Sequence, residues 1–228
     1  MTAIACLIPA LNAAPTLRRV IDGLREALPG TVIVGIDDGS TDATASIMRE
    51  RCDVSESFGA NRGKGAALRA AFSHALSLGA ARVLTIDADG QHDPRCAPSL
   101  LAALGDADIV VGARARMGST MPLRRRISNA VSSAAISAVA GRPLPDTQCG
   151  YRAIRREVLE SVSAVGDRYE FETDFIIRAA RSGFRIGAVP IPTIYVPAGE
   201  GGQSHFRECR DAVRVVATIV RHRLRPAS

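Results

Sequence analysis

The sequence predicts an α/β protein whose mostly parallel, twisted sheet is covered by helices on both faces. Three observations point there. Short apolar runs bounded by turn residues alternate with helical stretches through the first half of the chain. The runs (IACLI, TVIVGI, RVLTI) are continuously apolar and do not alternate, as expected of strands buried on both faces. The distinctive polar residues stand just past the carboxyl ends of these runs, where open α/β sheets gather their ligands.

In order, Ile4–Ile8 reads as a strand and Pro15–Leu28 as a helix, followed by a strand at Thr31–Ile36 and a helix at Asp42–Arg51. A short strand near Asp53–Ser57 precedes a helix at Gly63–Leu78. Arg82–Ile86 is a strand, Pro94–Leu104 a helix and Asp108–Gly112 a strand. Beyond Arg114 the pattern loosens. A basic loop, RARMGSTMPLRRR, leads into an amphipathic helix through about Ala140. DTQCGYRAI reads as a turn and a strand, and a helix follows near Glu170–Ser182. IGAVPIPTIYV is strand-like, PAGEGGQSHF is a glycine-rich loop, and a basic helix covers Glu208–Leu224.

The 228 residues suit one domain with one sizeable core, in two sub-regions, 1–113 and 114–228. Acidic residues outnumber basic ones by three in the first sub-region, and basic outnumber acidic by nine in the second. That asymmetry suggests a cation site early and an anionic partner late, with no feature pointing to nucleic acid. No stretch reaches the roughly 18 apolar residues of a membrane span, and Ile127–Gly141 is too short and serine-rich. MTAIACLIPALNA lacks a basic leader, so a cytoplasmic address is expected. The cysteines (Cys6, Cys52, Cys96, Cys149, Cys209) contain no CxxC pair, which argues against a disulfide framework or a zinc site.

In TIDADGQHDP, Asp87, Asp89 and Gln91 share one register at a strand exit. An extended segment would point all three the same way, and hard divalent cations such as Mg²⁺ or Mn²⁺ take oxygen donors of this kind. A solvated acidic turn would use the same residues; Asp93, followed by Pro94, reads as a helix cap. In IDDGSTDAT, Asp37 and Asp38 could bond a base or ribose, with Ser40 or Thr41 capping the next helix. NRGKGAALRAA sets Arg62 and Lys64, the single lysine of the chain, beside glycines at a helix start, a cradle for diphosphate.

Together IPALNA, IDDGSTD, NRGKGAALR, TIDADGQHDP, VVGAR, DTQCGYRAI and FETDFIIRA resemble, in order, the family 2 glycosyltransferases of the GT-A (Rossmann-like) fold. The nearest likeness is to polyprenyl-phosphate mannosyl- and glucosyltransferases. The resemblance implies that Pro9, Leu11 and Asn12, with Asp37 and Asp38, hold the base and ribose of a GDP- or UDP-hexose. It implies that Asp87, Asp89 and Gln91 bind a Mg²⁺ or Mn²⁺ that bridges the donor diphosphate. Arg114, then Arg125 or Arg126 and Ser128, match positions that grip a lipid acceptor phosphate, and inversion at the anomeric carbon is expected. Ser204, in the late segment GQSHF, falls in the family's substrate loop, with His205 in place of a lysine. A phosphate acceptor needs no strong base; a hydroxyl acceptor does, and Asp146 is the residue to test.

The chain departs from the family in PALNA, where Leu11 replaces an aromatic residue and Ala13 an acid. The sequence also lacks the transmembrane helices appended to many relatives. Its final helix, with an apolar stripe and several arginines, is compatible with peripheral contact at the inner membrane face and equally with core packing. Two other classes compete. DADG resembles the DxDG loop of haloacid-dehalogenase-like phosphatases, but Gln91 follows the glycine and three strand–helix units come first. A non-catalytic nucleotide-sugar-binding module is the other.

Overall fold

A computed structural model describes residues 3–114, 123–192, 194 and 208–224, with the side chains of 123–126, 128 and 208–210 excepted. The strands are β1 Ile4–Ala10, β2 Val32–Asp37, β3 Val54–Ser57, β4 Arg82–Thr85, β5 Ile109–Arg114, β6 Arg152–Arg155 and β7 Ile186–Ile191. The helices are α1 Ala14–Ala27, α2 Thr44–Arg51, α3 Lys64–Ser77, α4 Ala97–Ala102, α5 Leu123–Ala140, α6 Arg156–Ser161, α7 Glu170–Arg181 and α8 Glu208–Leu224. The strands form one sheet in the order β3-β2-β1-β4-β6-β5-β7, parallel except for β6, which runs against both neighbours.

Helix α1 shows why these sequences choose helix. Pro15 stands in its first turn, and Thr16, Leu17, Val20, Ile21 and Leu24 recur at helical spacing to bury one face. On β1 the inward run pairs with β2 from Ala5 opposite Val32 to Ala10 opposite Asp37, and with β4 from Ile4 opposite Arg82 to Leu7 opposite Thr85. Six of its seven residues are buried whichever face they point to, so the alternation that would mark a half-exposed strand never arises. The parallel strands β1, β2 and β4 consequently present Asn12, Asp38 and Asp87 at one rim.

Three local departures have physical causes. The helix expected at Pro94–Leu104 is broken: Pro94–Cys96 and Ala103–Gly105 are 3₁₀ turns on either side of α4. Pro98 has no N–H to return to the carbonyl of Pro94, so the α-helical ladder cannot run through. Helix α6, six residues long, is too short to show a period and was not expected. Asp93 does cap its turn, accepting the N–H of Arg95 at 3.0 Å, but Ser40 and Thr41 do not cap α2. Asp42 accepts the N–H of Thr44 instead, at 2.9 Å.

Three helices, α5, α7 and α8, pack together over the second sub-region. A wholly buried carboxylate links α7 to α8. Asp174 of α7 meets His222 Nε2 at 2.7 Å, accepts Arg178 Nε at 2.6 Å and accepts the N–H of Val165 at 2.8 Å. Arg181 adds bonds to the carbonyls of Val139 and His222, tying α7 to both neighbours. Cys6 and Cys149 are buried free thiols, while Cys52 and Cys96 are half-buried. No described helix is long and apolar enough to cross a membrane.

Removing one partner of a buried ionic cluster leaves the others desolvated and unpaired. Asp174→Ala is expected to lower stability by about 3 kcal/mol, seen as a fall of several degrees in the thermal midpoint by circular dichroism. An unchanged midpoint would mean the cluster does not anchor α8.

Candidate active site

The site is built where β4 ends. Strand geometry stops at Thr85, and Ala88–Asp89 turn the chain, with Gly90 at φ +71°. A side chain at Gly90 would meet Arg19 and Thr16 of α1 within 3.4 Å, so glycine is needed for both the turn and the packing. Asp87, Asp89 and Gln91 are therefore brought together by a turn and not by the alternation of an extended strand. Asp89 accepts the Gln91 N–H at 3.0 Å, and the Gln91 carbonyl accepts the N–H of Ile194 at 3.1 Å. What joins Gln91 to this loop is its backbone.

Asp87 is the centre of the charge distribution. Lys64 Nζ lies 2.7 Å from its Oδ1 and 2.9 Å from Glu172 Oε2. Arg152, almost wholly buried, stands 3.7 Å from Glu172, and His92 Nε2 stands 3.8 Å from Asp87 Oδ2. Burial works against ionising Asp87, but the Lys64 ammonium and the His92 contact outweigh it and hold the carboxyl well below its usual range. Burial likewise opposes charge on Lys64, yet Asp87 and Glu172 keep it firmly protonated. Asp89 moves the other way, raised first by burial and then by the negative charge of Asp87. Tyr169, its ring centroid 5.8 Å from Lys64 Nζ, is pushed up to about 12 by burial.

The antiparallel strand β6 supplies the floor. Gly150, just before it, lies so close to Asp87 that a Cβ there would stand 2.6 Å from Oδ2. Its carbonyl accepts the hydroxyl of Thr85 at 2.7 Å, pinning the DTQCGYR turn to the end of β4. His92 is buried with its ring centroid 5.4 Å from that of Tyr151, and its Nδ1 has no hydrogen-bond partner among the described residues.

At the far end of β5, Arg114 grips Asp146 through two bonds, Nε to Oδ2 at 2.6 Å and Nη2 to Oδ1 at 2.9 Å. Desolvation alone would raise Asp146, but the guanidinium overrides it and keeps the carboxyl low. Asp146 thus tethers Arg114 through both of its carboxylate oxygens.

Two other expectations change. Asp37 and Asp38 are buried, and their oxygens serve the chain itself. Asp37 accepts the hydroxyl of Ser57 at 2.6 Å and the N–H of Ser40 at 3.1 Å. Asp38 accepts the N–H groups of Arg62 and Gly63 at 2.7 and 2.9 Å. They shape the loops at Ser40 and at Arg62–Gly63. The helix start at Gly63–Gly65 is no open cradle for phosphate either. Asp167 accepts the N–H of Ala66 at 3.0 Å, and a Cβ at Gly63 or Gly65 would collide with Asp167 or Phe171. Lys64 faces the acidic cluster from that start.

Asn12, at φ +48°, accepts the N–H of Thr41 at 2.9 Å, and its own N–H goes to Ser40 Oγ at 2.8 Å. Pro9 is buried in β1 and Leu11 half-buried beside it. The side chains of Arg125, Arg126 and Ser128, and all of Ser204 and His205, lie outside the described residues. Sequence reasoning missed Glu172, Arg152, Tyr169, His92 and Gly150 as members of the site. A usable signal existed for Glu172: it is an acid in the first turn of a helix, and the single lysine needs partners.

Among the described residues no group of three His, Cys, Asp or Glu side chains is arranged to hold a metal by itself. Two carboxylates, one ionised by its neighbours, fit a Mg²⁺ or Mn²⁺ whose remaining positions are filled by substrate phosphates. Around them, the three carboxylates of Asp87, Asp89 and Glu172 face the two cations Lys64 and Arg152. Carboxylates outnumber cations there by one, a balance that favours such an ion.

The carboxyl rim of the mostly parallel sheet thus carries an acidic cluster screened by two cations. The model of the glycosyl transferase family 2 matches residues 5–163, and the chain belongs to that family. It is 32% identical over 209 residues to an undecaprenyl-phosphate mannosyltransferase of Micrococcus luteus, covering 87% of this chain and 86% of the relative. It is 34% identical over 199 residues to a polyprenol monophosphomannose synthase of Mycolicibacterium smegmatis, covering 81% and 75%. The fold matches glucosyl-3-phosphoglycerate synthase from Mycobacterium tuberculosis, solved with Mn²⁺, uridine diphosphate and phosphoglyceric acid, with a TM-score of 0.74 at 23% identity over 100% of this chain and 80% of that one. The chain is a family 2 glycosyltransferase, close to the polyprenyl-phosphate sugar transferases.

If Gly150 is what leaves room for Asp87, Gly150→Ala should displace that carboxylate without unfolding the sheet. Titration calorimetry with nucleotide diphosphate and Mn²⁺ is expected to read a loss on the order of tenfold, ~1.4 kcal/mol. Unchanged affinity would show that the contact does not matter to the ion.

Proposed function

We propose that this chain transfers a hexose from a GDP- or UDP-sugar to a polyprenyl phosphate, with inversion at the anomeric carbon. Residues 1–113 form the donor half and residues 114–228 the acceptor half. The carrying observation is that the carboxylates best placed to serve as a base are already committed. Asp146 is held by Arg114, and Glu172 lies between Lys64 and Arg152. A lipid phosphate is ionised near neutral pH and needs no proton removed, whereas a hydroxyl acceptor would. The names of the two bacterial relatives support the same acceptor class.

Asp87 and Asp89 would hold the Mg²⁺ or Mn²⁺, with Gln91 completing the loop. When bound, the ion neutralises charge gathering on the departing nucleotide diphosphate. The chain's own residues do the positioning. Lys64 and Arg152 keep the acidic cluster from repelling the diphosphate, and the Asn12–Ser40–Thr41 clamp shapes the nucleotide end. Arg114, with Arg125, Arg126 and Ser128, would receive the acceptor phosphate from the basic side. Aligning two anions and offsetting their repulsion is then most of the catalysis. The expected setting is the inner face of the membrane, with the protein peripheral.

Asp89→Ala should abolish metal-dependent donor use while leaving the fold intact. Release of nucleotide diphosphate, followed by a coupled assay, should fall by about 10²-fold or more, as for other groups that stabilise developing charge. Normal turnover in that variant would sink the proposal. Arg126→Ala should weaken transfer to prenyl phosphate more than it slows hydrolysis of the donor by water. Equal effects on the two rates would count against an acceptor role.

A further inference from the structure

Helix α8 is amphipathic in a way the sheet does not require. Its inward face buries Asp211, Val215, Thr218 and His222. Its outward face carries Val213, Val216, Val220 and Leu224, which are 49–77% exposed. These recur at intervals of three and four residues, so they form one continuous stripe along the helix. By the same periodicity, exposed Arg214 and Arg221 border the stripe on one side and exposed Arg223 on the other. Asp211, the one acid among the described side chains of α8, is on the buried face, 3.7 Å from Arg214. The adjoining helix α5 repeats the pattern: Ile127, Val131, Ala134 and Ala138 are exposed at helical spacing.

We infer that the outward face of α8, with the α5 stripe beside it, docks on an anionic phospholipid bilayer. An apolar stripe edged by arginines sinks its aliphatic side chains among the acyl chains and leaves the guanidinium groups at the phosphates. The lining is aliphatic with no aromatic or acidic side chain, so it offers the non-directional contact of a lipid surface and not the anchored pockets of a specific protein interface. A second copy is disfavoured by charge, because two such faces would oppose arginine to arginine. The inference extends the acceptor reading above but stands on a separate observation. It gives a chain with no described spanning helix a route to a lipid substrate.

The test is sedimentation of the full chain with vesicles, without nucleotide sugar, so that its failure is distinct from a failure of transfer. The vesicles are phosphatidylcholine alone, or phosphatidylcholine with roughly 30% phosphatidylglycerol. Binding should be on the order of tenfold tighter to the anionic vesicles and weaken with added salt. Val216→Asp/Val220→Asp should lose a further ~10-fold or more, and Arg221→Gln/Arg223→Gln should lose the preference for anionic lipid. All four positions are exposed, so thermal unfolding should be unmoved and loss of binding cannot be loss of fold. Three results would overturn the inference: no sedimentation with either vesicle, binding that the valine variant leaves intact, or a self-association in ultracentrifugation that the valine variant abolishes in place of vesicle binding.

Discussion

Everything at the rim of this sheet depends on the contact between Lys64 and Asp87. A parallel sheet delivers the ends of β1, β2 and β4 to one place, and the chain ends β4 in two carboxylates that burial makes costly to ionise. An ammonium 2.7 Å away sets the two apart. It helps hold Asp87 low, while burial and then the charge of Asp87 raise Asp89. The same ammonium reaches Glu172 in α7, so one side chain links the first sub-region to the second. Arg152 closes the arrangement from β6.

That link explains why the glycines fall where they do. Lys64 can reach Asp87 only if the start of α3 lies flat against residues 167–171, and side chains at Gly63 or Gly65 would hold the two apart. Gly150 permits the matching approach from β6. The buried carboxylates Asp37 and Asp38 belong to the same logic. By accepting N–H groups from the Ser40 and Arg62–Gly63 loops, they fix the loops that bring Asn12 and Lys64 to the site. Their described bonds are to the chain itself.

The sheet and most helices were legible in the sequence because buried parallel strands leave uninterrupted apolar runs, and α1, α3 and α7 show clear helical stretches. The antiparallel sense of β6 was not legible: a four-residue strand carries no directional signal, and its place between β4 and β5 is set by long-range pairing. Asp87 and Asp89 stood out because paired acids at a strand end demand a cation. Their partners did not, since Glu172 and Arg152 lie more than sixty residues away in sequence and look like ordinary surface charges until the fold closes over them. In the same way the pairing of Asp146 with Arg114, thirty-two residues upstream, left no trace in the sequence.

These pairings bear on what kind of acceptor the site can serve. A general base must be free to take a proton and poised near the working pH. Each acid beside the reacting region is pinned by a cation: Asp87 by Lys64, Glu172 by Lys64 and Arg152, Asp146 by Arg114. Asp89 is the exception, and we propose it for the ion's donor set. A site wired this way spends its carboxylates on holding cations in place, and those cations on screening anions from one another. That is poor equipment for activating a neutral hydroxyl, and it is why we propose an ionised phosphate as the acceptor.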